Sequence, residues 1–130
     1  MNNAHWEVFE GEQFRRHSGK EARVTLNYRH VFYLNALAYE GLGMPEAVEL
    51  MYDGNRRWIG IRPVEPRRRN AFKIASHGQH FKRINAAAFC QHFRLRVDGT
   101  ILFRDIDILA DGSLMTLDMA KATTVRRGAR

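Results

Sequence analysis

Seventeen arginines against four lysines, crowded into the middle of the chain, are the residues best equipped for chemistry in this sequence. Between Gly54 and Arg96 stand Arg56, Arg57, Arg62, Arg67, Arg68, Arg69, Lys73, Lys82, Arg83, Arg94 and Arg96, with Glu65 as the lone carboxylate, a local balance of +10 in a chain of 130 residues whose total is +7. The residues before Gly54 are net acidic, and those after Arg96 cancel. A guanidinium is a planar fork that matches phosphate oxygens in pairs, so arginine in excess over lysine suits a phosphate ligand. A basic stretch of this kind raises the local concentration of polyanions. The expected nucleic-acid contacts are Arg56, Arg57 and Arg62 around a first hairpin, Arg67, Arg68, Arg69 and Lys73 in and after a linker, and Lys82 and Arg83 on a later strand. None belongs to a base-reading motif, and phosphate contacts set affinity without reading sequence.

Other chemistries are less well served. His77-x-x-His80 followed by Cys90-x-His92 is the one grouping that resembles a zinc site. The second pair falls on an expected helix, where residues two apart face different directions, so loop histidines and a buried cysteine are expected instead. Asp105 and Asp107 alternate along an expected strand and read as its solvent face rather than as an acid pair or a cation site. No nucleophile elbow, phosphate loop or dinucleotide fingerprint is present, so no catalytic residue and no cofactor is expected. Tyr28, Phe32 and Tyr33 beside Arg29 and His30 could form a stacking platform for single strands. Core packing is the stronger expectation, because aromatic side chains commonly fill small barrels. Trp58 between Arg57 and Ile59 fits either side of a hairpin.

These residues sit on a pattern written twice. Leu34-Asn35-Ala36 returns fifty positions later as Ile84-Asn85-Ala86. Strands are expected over Arg23–Asn27 and His30–Leu34, then a helix over Ala36–Leu42 capped by Asn35 and stopped at Gly43. Ala47–Asp53 and Arg57–Arg62 follow as a hairpin about Gly54-Asn55, with Pro63 and Pro66 ending the ladder. The second copy reads Ala71–Ser76, a His/Gly loop, Phe81–Ile84, and a helix over Ala86–Phe93 capped by Asn85. An insertion over Arg94–Thr100, a long strand Ile101–Leu109, a turn at Asp111-Gly112 and a strand Leu114–Met119 complete it. A chain that repeats one supersecondary unit in this way buries the apolar face of each copy against the other.

The run Val31-Phe32-Tyr33-Leu34-Asn35, the short helix to Leu42-Gly43 and the hairpin after it resemble the AbrB-like swapped-hairpin family (the SpoVT-AbrB group). Relatives of the MraZ kind carry two such units in one polypeptide. The likeness covers Arg23–Arg62 well and Phe72–Met119 poorly. It implies a small barrel in which two strand–helix–hairpin units intertwine, and a DNA-binding, transcription-regulatory role. Where that family has Gly-Arg this chain has His30-Val31, and where its helix carries paired arginines this chain has Tyr39-Glu40 and Phe89-Cys90. Asn35 and Asn85 stand in place of the usual proline. Leu34-Asn35, Leu42-Gly43, Pro45-Glu46-Ala47-Val48 and Ile59-Gly60-Ile61-Arg62-Pro63 also follow an order similar to uncharacterised bacterial proteins, a likeness that implies no activity.

The expectation is therefore a mainly β domain with short α-helices, a tandem βαββ repeat folded as an intramolecular pseudo-dimeric barrel. Residues 1–22 form an N-terminal arm, 23–63 and 71–119 the repeats, 64–70 the linker, and 120–130 a basic flexible tail carrying Arg126, Arg127 and Arg130. The expected partner is nucleic acid, duplex DNA first, gripped without catalysis. The alternative is a protein-interaction module, antitoxin-like or a phage accessory protein, that meets an acidic partner. Further association of such units is compatible with either. No apolar run reaches the length of a membrane span, Met1–Glu10 lacks the apolar region of a secretory signal, and Cys90 is the only cysteine. A cytoplasmic, reducing setting is expected.

Overall fold

Alternating burial builds the first strands of the chain. In the computed structural model, which describes residues 21–125, Val24 and Leu26 of β1 (Val24–Asn27) are fully buried while Thr25 and Asn27 are not. β2 (Val31–Asn35) follows with Phe32 and Leu34 buried, the period-two pattern of a strand covered on one face. The turn between them is closed by Asn27, whose side-chain oxygen accepts from the backbone N–H groups of Arg29 and Val31, and His30 takes the left-handed conformation at φ 67°. After β2 come α1 (Ala36–Gly41), β3 (Ala47–Asp53), β4 (Trp58–Val64), β5 (Phe72–Lys73), β6 (Ala75–His77) and β7 (Phe81–Asn85). α2 (Ala87–His92), β8 (Thr100–Phe103), β9 (Asp107–Ile108), β10 (Met115–Asp118), a 3-10 turn over Met119–Lys121 and β11 (Thr123–Thr124) complete the order.

Two antiparallel sheets result. The first runs β11-β8-β1-β2-β7-β6 and the second β5-β3-β4-β10-β9. Their inner faces share one core: Val24, Leu26, Phe32, Leu34, Ile84 and Phe103 from the first, Val48, Ile59, Ile61, Met115 and Leu117 from the second. Ala38 of α1 and Phe89 and Cys90 of α2 join the same cluster. Both helices are six residues long and take their stability from this packing rather than from propensity. No buried polar side-chain atom among the described residues lacks a partner.

The strand registers repeat. Thr25 lies opposite Tyr33 in the β1–β2 hairpin, and Ala75 lies opposite Arg83 in the β6–β7 hairpin, each fifty residues on. Where the two hairpins meet, Val31 faces Asn85 and Asn35 faces Phe81, so the same offset maps the β2–β7 pairing onto itself. In the second sheet Tyr52 pairs with Ile59 and Ile108 with Met115, both fifty-six on. The six added residues lie between β7 and β9. Asn35 and Asn85 therefore hold matching places in the first sheet.

Several expectations are corrected. Strand pairing does not close into a barrel among the described residues: β11 and β6 end one sheet, β5 and β9 the other. The expected strand Ile101–Leu109 is two strands, because the chain leaves the first sheet at Arg104 and joins the second at Asp107. Ala71–Ser76 divides in the same way at Ile74, whose N–H bonds to the Glu46 carbonyl. Hydrophobic pattern alone does not mark the corner at Arg104, since both halves are apolar on one side. Pro63 lies inside β4 rather than ending it; β10 pairs only up to Ile61, so Pro63 has a neighbouring strand on one side alone. Residues 120–125 are not a free tail, since Val125 donates to the Thr100 carbonyl at 2.8 Å and β11 pairs with β8. An edge strand can be held by backbone bonds, which leave no trace in side-chain composition. Residues 1–20 of the expected N-terminal arm and the arginines Arg126, Arg127 and Arg130 lie outside the described residues.

The two asparagines differ in what they hold. The Asn35 side-chain oxygen accepts from Ala38 N–H and Arg23 N–H, both at 3.0 Å, and its amide donates to the Glu21 carbonyl at 2.9 Å. Among the described residues the Asn85 side chain accepts only from Ala87 N–H, at 3.2 Å, and Ala86 rather than Asn85 occupies the N-cap of α2. Asn35→Ala is expected to destabilise the fold by about 1–2 kcal/mol and Asn85→Ala by about 0.5 kcal/mol, read as a difference in urea midpoint at constant m-value. Equal losses would refute the asymmetry.

Candidate nucleic-acid interface

The basic middle of the chain is not one patch, because carboxylates just outside it fold back onto two of its arginines. β3 and β4 place Glu49 opposite Arg62, and the guanidinium reaches the carboxylate through Nε at 3.0 Å and a terminal nitrogen at 2.5 Å. Asp53 ends β3 and accepts from the Arg56 guanidinium at 3.1 Å, while its other oxygen accepts from the backbone of Asn55 and Arg56. The bond from Arg62 holds the Glu49 carboxyl below its usual range, and the Arg56 backbone N–H does the same for Asp53. Arg56 also lies over the Trp58 ring at 5.1 Å, and Trp58 is 39% exposed at the hairpin. Both groups therefore stay ionised and pair with the arginines across the neutral range. Arg56 and Arg62 are committed to neighbours within the chain.

Lys82 is also engaged. It alternates onto the same side of β7 as Ile84, donates to the Ser76 hydroxyl at 2.9 Å, and sits 5.0 Å from the centre of the Tyr39 ring of α1. Arg57, Arg67, Arg68, Arg69, Lys73 and Arg83 remain. Among the described residues none of them makes a side-chain hydrogen bond or ion pair, and all are exposed. Arg68 is near enough to Glu49 to lower that carboxyl further by its charge. Arg67–Arg69 stand in a loop closed by Arg68 N–H on the Glu65 carbonyl and Ala71 N–H on the Arg68 carbonyl. Arg57 sits in the β3–β4 turn at φ 61°, Lys73 lies on an edge strand of the second sheet, and Arg83 projects from the outer face of the first.

The histidines and the cysteine expected to stay apart from metal chemistry have separate surroundings. The His77 ring meets Tyr33 with centres 4.7 Å apart, His92 meets Phe93 at 4.6 Å, and Cys90 is buried in the core. Among the described residues no three His, Cys, Asp or Glu side chains are grouped to hold a metal ion. Burial pushes the Cys90 thiol up to about 11. At pH 8 the folded protein should therefore react with a thiol reagent far more slowly than the denatured chain, by about a hundredfold or more, in a timed labelling assay. Asp105 and Asp107 do not share a strand, since only Asp107 enters β9.

The aromatic run divides by face. Phe32 is fully buried, whereas Tyr28 is 59% exposed at the β1–β2 turn with Arg29 over its ring at 5.8 Å. Tyr33 lies on the outer face of β2 beside His77 of β6. Sequence reasoning passed over Phe81, which is 46% exposed on that outer face. Strict alternation in Phe81-Lys82-Arg83-Ile84, once Ile84 is taken as buried, points Phe81 outward beside Arg83 and was the signal that could have found it. No helix of the described residues is long and apolar enough to cross a membrane. Comparison with family models, with curated proteins and with solved structures finds no match to this chain.

Proposed function

We propose that this protein binds DNA without catalysing a reaction on it, gripping phosphates through the cations its own carboxylates leave free, and that it serves in transcription regulation. The observation that carries the reading is the exposed Arg67-Arg68-Arg69 loop, whose guanidinium groups make no ion pair among the described residues. Lys73, Arg57 and Arg83 supplement it. The paired registers, offset by fifty and fifty-six residues, support the finer view of the fold as a tandem βαββ pseudo-dimer related to the AbrB-like group. The regulatory part of the proposal rests on that likeness.

Phosphate neutralisation releases condensed counterions, so log K for duplex DNA should fall linearly with log salt. Fluorescence anisotropy across a salt series measures this, and absence of binding at low salt would refute the proposal. The second reading, docking on an acidic protein, uses the same cations. Recovery of a stoichiometric acidic protein after nuclease treatment, with no affinity for the bare duplex, would favour it instead.

A further inference from the structure

We infer that the outer face of the first sheet takes single-stranded nucleic acid, stacking unpaired bases on Phe81, Tyr33 and His77 while Arg83 and Arg23 meet the backbone. The inference rests on the nucleic-acid reading above and narrows its ligand. Its first support is position. Adjacent strands place Thr123, Leu102, Thr25, Tyr33, Arg83 and Ala75 in one row across all six strands, each directly opposite the next. These residues alternate with the buried set, so their side chains share the face turned away from the core. One register step further, Asn35, Phe81 and His77 form a parallel row. Three rings therefore gather where β2, β7 and β6 adjoin.

Charge is the second support. None of the six strands of this sheet contains Asp or Glu, whereas the other sheet carries Glu49, Asp53, Asp107 and Asp118 on its strands. Arg83 stands in the central row, and Arg23 precedes β1 in the same alternation, with its backbone bonded to Asn35. Neither guanidinium has an ion pair among the described residues. Glu21 stands at the rim of this face, ahead of β1. Unpaired cations on strands that carry no carboxylate favour a polyanion on this face.

Ring geometry decides between strand forms. In a duplex the base faces are stacked on each other and hidden, so an aromatic side chain on an open sheet has nothing to lie against. Single strands present those faces, and a sheet carrying rings among cations is a general platform for them. The rings stand on strands about 4.8 Å apart, with a spread suited to successive unstacked bases.

The test compares a short oligothymidylate with a duplex of equal length by anisotropy at fixed low salt, using the full chain and the variants Phe81→Ala, Arg83→Ala and, on the other sheet, Trp58→Ala. Circular dichroism checks that each variant folds; Phe81 and Arg83 are exposed, so both substitutions should be tolerated. The single strand is expected to bind more tightly than the duplex. Phe81→Ala should weaken it about five- to a hundredfold and leave the duplex unchanged, and Trp58→Ala should alter neither. A duplex bound as tightly as the single strand, with Phe81→Ala silent, would overturn the inference and leave the phosphate-gripping proposal standing. Failure of both nucleic acids to bind at low salt would remove that proposal and the inference with it. Dissociation of a self-associated form by Phe81→Ala in sedimentation, without change in oligonucleotide affinity, would assign the face to a second copy and also overturn the inference.

Discussion

Replacing Arg67, Arg68 and Arg69 together by Glu is expected to weaken DNA binding on the order of a hundredfold at about 0.15 M salt, with the folded state intact. Each phosphate contact contributes about 0.9 to the slope of log K against log salt, so losing three should flatten that slope by about 2.7. The new carboxylates add repulsion, which raises the expected loss rather than lowering it. The effect should be the same for unrelated DNA sequences, because phosphates carry none. The matched control is Arg56→Gln with Arg62→Gln. Those side chains are already occupied by Asp53 and Glu49, so their removal should change binding severalfold less than the loop variant. Anisotropy titrations of both variants over a salt series decide the matter. Equal losses from the two would mean that binding follows net charge alone and that the internal pairing is irrelevant to it.

Phe32→Ala is expected to destabilise the fold by about 3–5 kcal/mol, the largest stability effect of any single substitution considered for this chain. Phe32 is fully buried in β2 and lies between Leu26 of β1 and Ile84 of β7 in register, in the central pair of the first sheet. Truncation leaves a cavity at a place where neither strand can shift without breaking its pairing. With total stability for domains of this size commonly about 5–15 kcal/mol, the variant should melt roughly 10–20 °C lower, or fail to fold. Tyr28→Ala, at the exposed end of the same aromatic run, should change stability by no more than about 0.5 kcal/mol. Thermal denaturation of the pair measures the contrast, and similar shifts for both would contradict the assignment of faces.

How far the sequence carried the fold is clearest from β2 and β7. Their alternation, the shared Asn and the spacing of fifty gave the strands, their equivalence and the helices after them, because burial on one face writes a period of two into the chain. The helix starts were legible only to within a residue: Asn35 caps α1 as its type implies, but in the second copy the cap falls one residue later, on Ala86. Places where the chain crosses between sheets, at Ile74 and over Arg104–Ile106, were not legible. A strand that changes sheets keeps its apolar side toward the same core, so its pattern continues through the bend. The pairing of β11 was hidden for another reason, since backbone hydrogen bonds impose no side-chain code on an edge.

The candidate site was legible in its composition and not in its arrangement. The count of cations between Gly54 and Arg96 was correct, yet it stopped one residue short of Asp53 and five short of Glu49; the β3–β4 turn brings Asp53 onto Arg56, and cross-strand pairing brings Glu49 onto Arg62. Which cations stay free is a question of who lies opposite whom. Sequence by itself determined that the chain is rich in strands, internally doubled and basic, because those are sums and periodicities along one dimension. Only the tertiary structure decided that one sheet has strands free of carboxylates while the other's hold four, that Tyr33 meets His77 with Phe81 in register beside it, and that the arginines divide between the two sheets. Electrostatic and stacking contacts act through space over a few ångströms, and the partners within that reach come from strands far apart in the chain.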